Sequence, residues 1–154
     1  MRKIFAIFML FLVSCVAETT AQKIGKMKEP ADLKEYTENI KTLIVYQTEI
    51  FREALSNLIV IKKSSANFQD YLKQKTAVDD TLYKKSEIFN QKNREQMMAA
   101  KNKFDPMATL AAVKSLDEYQ QNAQKIFLLY SEFNINETNF SDPKFDNFKL
   151  PEMK

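Results

Sequence analysis

Along three stretches of the chain, apolar residues recur at alternating steps of three and four, the spacing that puts side chains on one face of an α-helix. The first seam runs Leu33, Tyr36, Ile40, Leu43, Gln47, Ile50, Ala54, Leu58 and Ile61, polar only at Gln47 and widened by Ile44, Phe51 and Leu55. The second carries Phe68, Leu72, Val78, Leu82, Phe89, Met97, Ala100 and Phe104, with Lys75, Ser86 and Asn93 interrupting at seam positions. The third reads Leu110, Val113, Leu116, Tyr119, Ala123, Ile126, Tyr130 and Phe133.

Boundaries follow from the residues between the seams. Pro30 suits the first turn of a helix, where its missing N–H is no loss, and Asp32, Glu35 and Glu38 complement the positive end of the dipole. Lys62-Lys63-Ser64-Ser65 places cations at a helix C-terminus and hydroxyls ready to cap the next. Asp105-Pro106 is the sharpest break, because proline disfavours helix in the residue before it. These signals predict helices over 30–62, 65–104 and 106–133. Asp79-Asp80-Thr81 leaves open whether the second is one helix or two. Short connections make sequential helices antiparallel neighbours. The expected fold is all-α: an elongated antiparallel three-helix bundle or coiled coil. Residues 134–154, rich in Asn, Asp and Pro, with Phe140, Phe145, Phe148 and Leu150 irregularly spaced, form an extended aromatic tail.

Charge adds an arrangement. Residues 29–61 hold six acids and three bases, 62–103 ten bases and five acids, and 105–133 two bases and four acids. That order predicts a basic middle helix lying between two acidic ones. Exposed ion pairs contribute tenths of a kcal/mol, so they select geometry, and stability rests on the apolar seams.

Upstream of the helices, Arg2 and Lys3 precede an uninterrupted apolar run, Ile4 to Val13. The order of charge, apolar run and small residues is that of an export signal, and the run is shorter than the roughly 20 residues that span a bilayer. Two cuts stand open. Leu12-Val13-Ser14-Cys15 resembles the lipobox of bacterial lipoproteins, which implies lipidation of Cys15 as the first mature residue. Thr19-Thr20-Ala21 resembles an ordinary signal-peptidase site, cut before Gln22. The signal is therefore assigned to 1–21, and 22–29, with Lys23, Lys26 and Lys28 around Gly25, to a basic linker. Lipidation would anchor the chain stably through more than one acyl chain, and would hold that linker near lipid headgroups.

Composition excludes more than it assigns. No histidine is present, so Ser-His-Asp and Cys-His machinery and imidazole metal ligands are missing. With one glycine, Gly25, phosphate-cradling loops are not expected. The one cysteine builds no intramolecular disulfide. The helical carboxylate pairs Glu35/Glu38 and Glu49/Glu53 lack the histidine that a di-iron bundle places three residues after a glutamate. No catalytic residue, cofactor or metal is expected, and the mature net charge of +1 or +2 is too small to imply nucleic acid.

The expected function is a non-enzymatic exported protein, a membrane-anchored lipoprotein of the cell envelope or a soluble periplasmic or secreted protein, that binds another envelope protein. Candidate contacts are Met97, Met98 and Met107, as adaptable apolar side chains, and the tail residues Phe140, Phe145, Phe148 and Leu150. The alternatives are an apolar ligand held among Tyr36, Phe51, Phe68, Phe89 and Tyr119, and self-association into a homo-oligomer.

Overall fold

The computed structural model describes residues 18–151, so the lipobox-like residues and Cys15 lie outside it. Among the described residues the fold is all-helical: α1 (Thr20–Lys26), α2 (Leu33–Ser64), α3 (Phe68–Lys103), α4 (Pro106–Lys114), α5 (Asp117–Glu132) and α6 (Pro143–Asp146). None of these helices is long and apolar enough to cross a membrane.

α2 is the axis. Asp32 caps it by accepting from the Glu35 amide at 2.8 Å, while Glu35 reaches back to accept from the Ala31 amide at 2.8 Å. Its start therefore sits at Asp32, two residues past Pro30. At its end Ser65 donates to the Ile61 carbonyl at 2.6 Å, so the helix runs through Ser64. Asn67 then caps α3 at Asp70. α3 continues unbroken across Asp79-Asp80-Thr81, because Lys75 pairs with Asp79 and Thr81 turns its hydroxyl back onto the Ala77 carbonyl.

Three sequence expectations are corrected. First, 22–29 is no free linker. Thr19 and Gln22 form a reciprocal capping box that starts α1, and Ile24 and Met27 are buried against α2. A seven-residue helix is too short to show a period, so the spacing of these two carries no signal. Second, 106–133 is two helices. The chain bends at Ser115-Leu116, which drives Leu116 into the core, and the Val113 carbonyl accepts from the Leu116 amide at 3.1 Å and from the Gln120 side chain at 3.0 Å. Third, the helix in the middle of the molecule is acidic α2, packed on basic α3 along one side and on α5 along another. Glu53 and Lys85 join α2 to α3 at 2.5 Å. Two acidic helices meet at α2–α5 through rings instead: Phe51 sits edge-on to Phe127 and Tyr130 at 5.3 and 5.2 Å.

The interior divides into two cores along α2. Ile24, Tyr36, Ile40, Leu43, Tyr46, Ile50, Ala100 and Leu116 make the first. Leu55, Leu58, Ile59, Tyr71, Phe133, Ile135 and Phe145 make the second, and the tail closes it. Asn136 and Asn139 shape the approach by accepting from each other's neighbourhood in a tight turn, and Asp142-Pro143 opens α6.

Tyr71 is fully buried in the second core, and its hydroxyl has no hydrogen-bond partner among the described residues. Burial, with the nearby Asp79 charge second, pushes its phenol up from 10.0 to about 12. Tyr71→Phe removes an unsatisfied polar group and is expected to raise stability by about 1 kcal/mol. The pH dependence has a fixed sign. A phenol whose pKa is raised by folding contributes stability that is intact below pH 10.0 and is lost as pH climbs through about 12. Burial raises Tyr36, Tyr46 and Tyr130 in the same direction. Denaturant midpoints from about pH 9 to about pH 12 should fall for the native chain and fall less for Tyr71→Phe.

Candidate functional surface

The candidate contact residues separate into two groups. Phe140, Phe145, Phe148 and Leu150 pack in or against the second core, and Phe145 retains 1% of its exposure. Their rings interlock: Phe133 meets Phe145 edge-on at 5.4 Å and Phe148 at 5.0 Å, while Phe140 leans on Phe68 and Tyr71. These side chains are engaged by the chain's own helices.

The tail is also clamped by charge. Lys62, buried on α2, donates to Asp146 at 2.8 Å and lies 4.4 Å from the centre of the Phe140 ring. Asp146 is half-exposed, so its loss should cost less than the roughly 3 kcal/mol of a fully buried pair and more than the roughly 1 kcal/mol of a surface pair. Asp146→Asn is expected to lower unfolding stability by about 2 kcal/mol, read by denaturant titration.

The methionines are a different case. Met97, Met98 and Met107 are 58%, 54% and 71% exposed, large values for apolar side chains. Consecutive helical residues diverge by about 100°, so Met97 and Met98 face different ways. Met98 turns toward the α1 side, beside Glu29, Ala99 and Asn102. Met97 lies on α3 near the end where α4 begins, and α4 opens Pro106-Met107.

α4 is the feature the seam analysis missed. It is apolar almost throughout, PMATLAAVK, yet none of its side chains is buried. Met107 and Leu110, one turn apart on one face, both stand out. In the sequence, Leu110 and Val113 read as core positions of one long helix. The bend at Ser115-Leu116 gives the fully buried position to Leu116, leaves Val113 half-buried against the first core and turns Met107 and Leu110 outward. A residue pattern with no polar face was the available sign, since it does not say which side is to be covered.

The remaining sequence candidates fall into structural roles. Glu35 accepts from a backbone amide, Glu49 accepts from the Thr20 hydroxyl at 2.9 Å, and Glu53 pairs with Lys85. The five rings proposed to surround a ligand do not converge: Tyr36, Phe51, Phe89 and Tyr119 belong to the first core and Phe68 to the second. The grooves beside them are open, such as one of about 250 Å3 between Ile44, Phe51 and Phe127.

The chain matches no protein-family model, no curated protein and no solved structure.

Proposed function

We propose that this chain is a non-enzymatic, exported, lipid-anchored protein of the cell envelope that works by binding another envelope protein through the outer face of α4. The observation that carries the binding role is α4 itself, an apolar helix with no fully buried side chain, on which Met107 and Leu110 stand exposed on one face. Exposed apolar surface of this kind lowers the free energy of the state in which it is covered.

The choice of anchor draws on α1. A cut after Ala21 falls inside that helix and removes Thr19, its N-cap, and Thr20, which ties it to Glu49. A cut before Cys15 leaves α1 whole. Loss of an N-cap costs about 1 kcal/mol, and sparing that cost is what supports the lipobox-like cut over the later one.

The test is in-cell photocrosslinking from residues substituted at Met107 and Leu110, with isolation through a C-terminal tag. One envelope protein captured from both positions, and not from a control at exposed Lys73, is the expected result. Recovery of the bait alone would overturn the partner-binding reading, and bait crosslinked to itself would replace it with self-association.

A further inference from the structure

The route by which the chain enters the bundle limits how an anchored molecule can stand on a bilayer. α1 does not begin at an end of the bundle. Its first residue, Thr20, donates to Glu49, which lies halfway along α2. From there α1 runs back toward the start of α2, where Asn39 and Gln96 donate to the Lys28 carbonyl and Lys92 to that of Met27. With 32 residues in α2, Glu49 is about 24 Å from either end.

Three residue steps separate Cys15 from Glu18, a reach of at most about 11 Å. A tether of that length cannot bridge the 24 Å or so needed to stand the bundle on either tip. A molecule anchored through Cys15 would be held side-on.

We propose that the face made by α1 and the adjoining flank of α3 lies against an anionic lipid surface; this rests on lipidation of Cys15. Besides the tether, charge and apolar exposure favour this face. Lys23 and Lys28 project beside buried Ile24 and Met27, and Lys84 and Arg94 are exposed on α3; none of the four is in a salt bridge among the described residues. The acids nearby are largely spoken for: Glu18 pairs with Lys26, Glu29 with Lys103 and Glu95 with Lys92, while Glu87 accepts from Tyr83. Between the cations, Ile88 and Met98 are 47% and 54% exposed, placed to enter the headgroup layer. The opposite side is unsuited, because α4 and α5 together carry two bases and three acids.

Cys15 is the chain's one cysteine, so when it is acylated an introduced cysteine is a unique labelling site. Full-length protein carrying Ile88→Cys, Met98→Cys, Glu118→Cys or Leu128→Cys is purified from the membrane, weighed intact, spin-labelled and reconstituted into vesicles of phosphatidylethanolamine and phosphatidylglycerol. Accessibility to a lipid-soluble and to a water-soluble relaxation agent is then compared. The expected result is acyl mass on Cys15, lipid-side relaxation several-fold greater at 88 and 98 than at 118 and 128, and a smaller contrast when phosphatidylglycerol is replaced by phosphatidylcholine. Acylated protein with equal accessibility at all four positions would overturn this inference and leave the anchor standing. A mass without acyl chains would overturn the anchor and the inference with it.

Discussion

Phe145→Ala is expected to cost 3 to 5 kcal/mol of unfolding stability, on the order of the loss for a buried phenylalanine elsewhere. The ring is 1% exposed and sits edge-on to Phe133, itself buried, so its removal opens a hole that rigid neighbours on α2 and α5 cannot close. Phe145 is held by a four-residue helix and a clamp to Lys62, which gives the protein a second way to respond: the tail can lift off. Lifting would expose Leu55, Leu58 and Tyr71, which are among the most deeply buried side chains. Both responses lower the midpoint of a denaturant transition followed by helical circular dichroism. Against a stability of about 5 to 15 kcal/mol for a domain of this size, that loss is a large fraction of the whole. Leu128→Ala, removing a residue that is half-exposed on α5, should stay within about 0.5 kcal/mol of the native chain. A loss below about 1 kcal/mol for Phe145→Ala would mean that the tail is not part of the core.

That result bears on how the tail was legible. Its composition announced a change of structure at Asn134, and its rings announced a large apolar area needing cover. Whether the cover would be a partner or the bundle was not written in the spacing of Phe140, Phe145 and Phe148, because an irregular segment has no period to point a face. The long helices were read well for the opposite reason. Over 32 and 36 residues, periodicity accumulates and outweighs single polar insertions such as Lys75 or Asn93. The errors lie where a few residues decide. Asn67 rather than Ser65 caps α3, Ser115-Leu116 bends the chain without glycine or proline, and α1 makes its apolar contact through two residues, Ile24 and Met27.

The layout of charge was misread in an instructive way. Order along the chain suggested a basic helix between two acidic ones, but position in space is set by burial. α2 carries buried residues along its whole length, whereas α3 has none between Tyr71 and Gln96. The helix with apolar residues on more than one side takes the middle, whatever its charge. The bend after Lys114 puts Leu116 in the core and leaves Met107 and Leu110 of α4 exposed.

Ile24→Asp is the substitution expected to act most on the link between N-terminus and bundle. Ile24 is 1% exposed in the first core, and a carboxylate there would be buried without a built partner, which a terminal helix avoids by detaching. Detachment forfeits burial of an isoleucine side chain, about 1.5 to 3 kcal/mol, so the undocked population should rise by roughly one to two orders of magnitude. Trypsin reports it directly, because Lys23 and Lys26 lie within α1: cleavage there should accelerate by a similar factor, while cleavage at Lys73 on α3 should not change. Ile24→Val, which keeps the apolar contact, should cost about 1 kcal/mol and leave the digest near native. In anchored protein the consequence is geometric. Undocking frees the chain from Cys15 to Asp32, lengthening the tether to about 60 Å. A bundle about 48 Å long could then turn over beneath its anchor. The difference in lipid exposure between positions 88 and 118 should therefore collapse in Ile24→Asp with the acyl chains intact. A preserved difference would mean that the charge on α3, and not the docking of α1, holds the molecule on its side.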